Sequence, residues 1–200
     1  MYLVWALFFP MLAGCAVFQA KTDDFLPTRT MLESFSLEGR FSLRHEDQNY
    51  SGHLSWQHLD ANNTLLLSSP LRQGIAQITT DATGARLVTS DGRIYRSANI
   101  ETLTQEVLGF PLPLAQLVDW VRGWSRGEGI YEYDSRGRVK SLRHEAWTIR
   151  YSYDNDDREA PPGRIFAEKT GGFALRLRID AWGLPENGST QGSADYMAID

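Results

Sequence analysis

The chain of 200 residues contains a single cysteine, Cys15, so no disulfide can form within it. In an oxidising compartment its stability must then rest on the core alone. Only residues 1–14 form an uncharged apolar run, and a run that short falls below the ~20 residues a membrane-spanning helix needs. Positive charge is in deficit: 20 Lys and Arg against 25 Asp and Glu leave −5, which argues against nucleic-acid binding, where a basic stripe is expected. Histidine is scarce, and His45, His53, His58 and His144 stand singly, without the His-Glu-x-x-His spacing of a zinc site. A Gly-x-Ser-x-Gly elbow and a Gly-rich phosphate loop are both missing. Asp154-Asn155-Asp156-Asp157 lacks the glycine and closing glutamate of a calcium loop and reads as an acidic turn. The expectation is a protein with no metal, no cofactor and no catalytic site.

What is present begins at the N-terminus. The apolar run ends in Leu12-Ala13-Gly14-Cys15, the small residues of a secretory cleavage site with a cysteine in place. This resembles the lipobox of bacterial lipoproteins, in which the cysteine becomes the new N-terminus and carries acyl chains; a thiolate is the nucleophile suited to thioether formation. Residues 1–13 carry no Lys or Arg, so the basic start of a signal peptide is missing and an upstream start is left open. Ala16 follows the cysteine. In enterobacterial lipoproteins an Asp there retains the protein in the inner membrane, and its absence resembles an address at the periplasmic face of the outer membrane. Cleavage would leave ~185 residues, enough for one domain. Apolar content of 42% and charged content of 22% fit a globular chain.

Hydropathy beyond residue 27 alternates. Residues 28–35 have modest helical character. Phe41 and Leu43, Leu54 and Trp56, the Leu65-Leu66-Leu67 triplet, and residues 75–80 and 86–89 follow with period two, the mark of antiparallel strands with one apolar face. Asp91-Gly92 is a hairpin signal. The pattern breaks after Asn99, which suits a helix cap; Leu103, Val107 and Leu108 give a helical stripe closed by Gly109. Pro111 and Pro113 forbid continuation, and Leu114, Leu117, Val118 and Val121, with Trp120 on the flank, predict a second helix stopping at Gly123. Strands resume at Ile130 and run to Trp182, with Trp147, Ile149, Tyr151 and Leu175, Leu177, Ile179 alternating against polar residues. The Gly- and Ser-rich residues 183–200 read as a disordered tail.

About ten strands with helices inserted mid-chain must curl to manage their edges. Two short helices do not fill the inside of such a sheet, and its apolar face would then line a cavity suited to an acyl chain. Candidate lining residues are Phe41, Leu43, Leu54, Trp56, Leu65, Leu67, Trp120, Trp147, Ile149, Leu175 and Leu177. Between two strands lies Ser68-Ser69-Pro70-Leu71-Arg72-Gln73-Gly74, a turn by its Pro and Gly. Leu71 is a bulky apolar residue on its tip. It either folds back on the core or protrudes toward a membrane, where Arg72 would meet anionic headgroups.

These pieces resemble the LolB family. The matching stretches include Phe35-Ser36-Leu37-Glu38-Gly39-Arg40-Phe41, Leu54-Ser55-Trp56-Gln57 and Leu66-Leu67-Ser68-Ser69-Pro70-Leu71. They continue with Leu108-Gly109-Phe110-Pro111-Leu112-Pro113, Leu117-Val118-Asp119-Trp120-Val121-Arg122-Gly123, Trp147-Thr148-Ile149-Arg150-Tyr151 and Leu177-Arg178-Ile179-Asp180-Ala181-Trp182. The resemblance implies a mainly β fold: a curved, unclosed antiparallel half-barrel whose helices cover a hydrophobic cavity. It implies a lipid-anchored monomer that takes lipoproteins from the periplasmic carrier LolA and inserts them into the outer membrane, without nucleotide. It further implies that a protruding loop leucine, here Leu71 between Pro70 and Arg72, delivers the cargo lipids. The loop reads Pro-Leu-Arg where Pro-Leu-Gly is common in the family. The expected organisation is a signal peptide at 1–14, a lipidated tether at 15–27 beginning with Cys15, the half-barrel at 28–182, and the tail. Two other readings are a structural or protein-binding envelope lipoprotein with a solid core, and a lipid hydrolase with an unrecognised site.

Overall fold

The computed structural model describes residues 33–125 and 129–185. The signal peptide, Cys15, the tether and most of the tail lie outside the described residues. Eleven strands form one antiparallel sheet in the order β6-β5-β4-β3-β2-β1-β11-β10-β9-β8-β7. They are β1 (Phe35–His45), β2 (Gln48–Leu59), β3 (Asn62–Ser68), β4 (Gly74–Asp81), β5 (Gly84–Thr89) and β6 (Ile94–Ser97), then β7 (Ile130–Tyr133), β8 (Val139–His144), β9 (Trp147–Ser152), β10 (Arg164–Lys169) and β11 (Phe173–Gly183). The edges β6 and β7 are not bonded to each other, so the sheet does not close. Every other connection is a hairpin except the one from β6 to β7, which carries the helices, and the first and last strands pair at the centre.

Alternation sets the inner face. Register places Leu37 beside Trp56, Trp56 beside Leu65, Leu65 beside Ile78 and Ile78 beside Leu87, a continuous apolar row across five strands. Inner residues from both halves of the sheet join the helices in one core cluster, so the sheet wraps around them. Glycines permit two close approaches on this face. A Cβ at Gly52 would lie 1.9 Å from the Ser68 carbonyl oxygen, and one at Gly39 would lie 2.3 Å from that of Arg178.

Helix α1 (Ile100–Leu108) begins where the sequence places it: Asn99 Oδ1 accepts from the Thr102 N–H at 2.8 Å. It ends at Gly109, whose φ of 84° is the left-handed conformation glycine adopts without cost. The linker returns on Thr104, whose Oγ accepts from the Leu112 N–H at 2.8 Å. Helix α2 (Leu114–Val121) buries Leu114, Leu117, Val118, Trp120 and Val121. One expectation fails at residues 28–35, of which 28–32 lie outside the described residues. Phe35 is no helix residue: it opens β1, because its ring packs edge-on against Trp56 at 5.2 Å and Trp182 at 5.7 Å.

Strand directions sort the turns into two ends. One end holds the start of β1, the end of β11 and turns 60–61 and 82–83. The other holds turns 46–47, 69–73, 90–93 and 170–172.

Candidate functional site: an apolar cavity and a leucine-tipped loop

The sheet and helices leave a cavity of about 410 Å³. Its floor is Trp56, Leu65, Ile78 and Leu87 from β2–β5, and its roof is Leu108, Phe110, Leu112 and Leu117 from the helices and their linker. Leu43, Leu175 and Leu177 wall the side toward the sheet centre, joined by Phe41, Leu54 and Leu67. Asn49, Tyr50, Ser51 and Ile75 stand at the rim, with Tyr50 and Ile75 at 37% and 42% exposure. The volume lies within the roughly 300–1,000 Å³ of small-ligand sites. Apart from Asn49, Tyr50 and Ser51 at the rim its lining is apolar, which suits an apolar occupant.

Beyond the floor two groups of buried polar side chains are paired. Trp56 Nε1 donates to Asn63 Oδ1 at 3.0 Å, and His58 Nδ1 lies 3.0 Å from the same oxygen, so that nitrogen carries the proton. Burial pushes the His58 pKa below the usual histidine value, and the neutral ring persists in the fold. Asp119 and Arg122 form a buried pair at 2.8 Å on the C-terminal turn of α2.

Of the residues the sequence nominated for the lining, Phe41, Leu43, Leu54, Trp56, Leu65, Leu67, Leu175 and Leu177 line this cavity. Trp120, Trp147 and Ile149 do not. They belong to the solid part of the interior on the β8–β11 side, where α2 packs down. Trp120 and Trp147 rings meet at 4.9 Å, Trp147 meets Phe173 at 5.2 Å, and Ile149 is fully buried. Sequence reasoning missed the roof, Phe110 and Leu112 above all. Their signal was present as apolar residues interleaved with Pro111 and Pro113 in a segment too broken to be a helix.

Leu71 stands on the β3–β4 hairpin at 84% exposure. The hairpin is tightly held: Arg72 N–H donates to the Ser69 carbonyl at 2.8 Å, Ser69 N–H to the Gln73 carbonyl at 2.8 Å, and Gln73 N–H to Ser69 Oγ at 3.2 Å. This is a three-residue loop of Pro70, Leu71 and Arg72, with Arg72 in the left-handed region at φ 61°. A leucine at the tip has nothing to fold back on. Ile75, the extra residue of a β-bulge opposite the Leu67–Ser68 step, joins the loop to the cavity rim.

A family model described as "Outer membrane lipoprotein LolB" matches residues 33–182. An outer-membrane lipoprotein LolB of Dechloromonas aromatica is 37% identical over 86% of this chain and 92% of its own length. That of Nitrosomonas europaea is 36% identical over 75% of this chain and 73% of its own length. Among solved structures, a LolA superfamily protein from Nitrosomonas europaea is similar, with a TM-score of 0.41 at 14% identity, over 80% of this chain and 91% of that one. On the family match and these identities, the chain belongs to the LolB family of outer-membrane lipoproteins.

Proposed function

We propose that this protein accepts the acyl chains of lipoproteins from the periplasmic carrier LolA into its cavity and passes them to the outer membrane, to which acyl groups on Cys15 tie it. The observation that carries the reading is the apolar cavity of about 410 Å³ whose rim residue Ile75 is continuous with the loop bearing exposed Leu71. Acyl chains bound there lose no hydrogen bonds, because the wall offers almost none. Transfer between two such cavities needs little driving force: a difference of ~1.4 kcal/mol in affinity biases it tenfold. The chemistry is relocation, with no bond made or broken.

Ala76 sits on the cavity wall beside Leu67. Its replacement by Phe fills the hollow while leaving the floor row in place. With a fluorescently labelled lipoprotein on its carrier, Ala76→Phe should fold and fail to accept cargo. Uptake at the wild-type rate by that folded variant would remove the cavity from the mechanism.

A further inference from the structure

The outer face of β3–β6 carries an arrangement that the cavity does not use. Register sets Leu66 beside Gln77, Gln77 beside Val88 and Val88 beside Ile94. Alternation turns this row away from Leu65, Ile78 and Leu87, which face inward. Leu66 and Ile94 are 48% and 46% exposed and flank Val88, which is buried at 9%. The β5–β6 turn reaches the Leu71 loop's own strand, since Ser90 N–H donates to the Ile75 carbonyl at 2.9 Å.

Cations frame these aliphatic residues. Arg86 lies directly opposite Arg96 on the same face, and Arg72 follows Leu71. Among the described residues none of the three has a carboxylate within ion-pair distance. Like charges directly opposite one another on a sheet are destabilising, and a chain of net charge −5 has carboxylates to spare. The other arginine-rich stretch of the outer face is mostly matched within itself: Arg40 pairs with Asp180, Arg164 and Arg178 with Asp154, and Arg150 with Glu168, while Arg176 lies over the Phe166 ring. Arg93 is likewise held by Asp91 at 2.6 Å.

Exposed aliphatic side chains bordered by unpaired guanidinium groups suit one kind of surface. Aliphatic groups enter the boundary between headgroups and acyl chains, while guanidinium forks take phosphate oxygens in pairs. We propose that the outer face of β3–β6 is a membrane-docking surface for a phosphate-bearing leaflet, laying that half of the sheet on the bilayer with Leu71 as its inserted tip. This deepens the delivery reading above and rests on it. The phosphate source is the bilayer itself, because the chain belongs to a family of outer-membrane lipoproteins.

The test uses the mature chain, without residues 1–14 and with Cys15→Ala, so that neither the apolar leader nor an acyl group contributes, and vesicles of phosphatidylcholine with or without phosphatidylglycerol. Flotation measures binding; cargo uptake from the carrier in solution is measured on the same variants. Arg86→Gln with Arg96→Gln should weaken binding to anionic vesicles by about 25-fold, near fivefold for each charge removed. Leu66→Ser with Ile94→Ser should also release the protein, and both pairs should take up cargo normally. Unchanged vesicle binding in both double variants overturns the proposal. So does loss of uptake with vesicle binding kept, which would give this face to a protein partner. A wild-type chain that binds anionic vesicles through these residues yet never accepts cargo would sink the receptor reading and leave the docking surface standing.

Discussion

Replacing Leu71 by alanine separates acceptance of cargo from its delivery. The side chain is 84% exposed, and full burial of a leucine is worth ~1.5–3 kcal/mol, so its entry into hydrocarbon contributes roughly 1.3–2.5 kcal/mol. Alanine removes three carbon groups at ~0.8 kcal/mol each, which scaled by the 84% exposure is a loss of about 2 kcal/mol, or close to 30-fold in occupancy of the membrane-engaged state. Leu71→Glu would lose more, since a carboxylate must stay in water. Neither change touches the fold. The loop is held by backbone bonds from Arg72 and Ser69 and by the Ser69 hydroxyl, so stability should stay within about ±0.5 kcal/mol. The assay has two stages: transfer of labelled lipoprotein from carrier to receptor, then from receptor to liposomes. Both variants should complete the first and stall at the second, Leu71→Ala by roughly the factor derived from its burial. Insertion by Leu71→Ala at the wild-type rate, or a stall accompanied by lost uptake, would refute the reasoning.

Other outcomes follow from the interior. Gly52→Ala drives a Cβ to 1.9 Å from the Ser68 carbonyl oxygen and should lower the urea midpoint by the equivalent of about 1–3 kcal/mol. Asp119→Ala removes the carboxylate that faces the Arg122 guanidinium, the two side chains being 3% and 11% exposed, and leaves the Val118 carbonyl among that cation's acceptors; the expected loss is about 3 kcal/mol, read by denaturant titration. His58 has a folded pKa below its unfolded value of ~6.5, so the unfolded chain binds the proton first. Stability should therefore be level above that pH and decline as pH falls below it, and His58→Gln should flatten the decline between ~6.5 and ~5, above the range where carboxylates titrate.

Local structure was largely legible. Asn99 and Gly109 fix both ends of α1 because a cap oxygen and a left-handed residue act at single positions. Asp91-Gly92 gives its hairpin for the same reason, with Gly92 at φ 80°. Alternation also put Leu54, Trp56, Leu65 and Leu67 on one face. It could not say what covers that face. Ile149 alternates as cleanly as Leu54, yet it packs in the solid side of the interior while Leu54 faces a hollow, because Trp120 of α2 comes down onto Trp147 on that half of the sheet, whereas Leu117 on the other half only roofs the cavity. Periodicity describes each strand against its own axis and carries no information about where a distant helix lands. The start of β1 failed for a related reason. Phe35 is held by Trp182, which lies 147 residues away in sequence, so no local window contains its cause.

The outer row of β3–β6 was legible only in fragments. Leu66 in its triplet broke strict alternation, but its alignment with Val88 and Ile94 requires three successive registers. One of them passes a bulge at Ile75 that the sequence does not announce.

The opposed ends of the sheet bear on how the molecule is moored. Phe35 enters at the end away from Leu71, and the 11 residues of β1 measure roughly 36 Å at ~3.3 Å each. Between Cys15 and Phe35 lie 19 residues, whose reach is at most about 65 Å. The leash can thus outrun the body it holds. With the anchor proposed at Cys15, mooring point and prow can therefore reach the same leaflet.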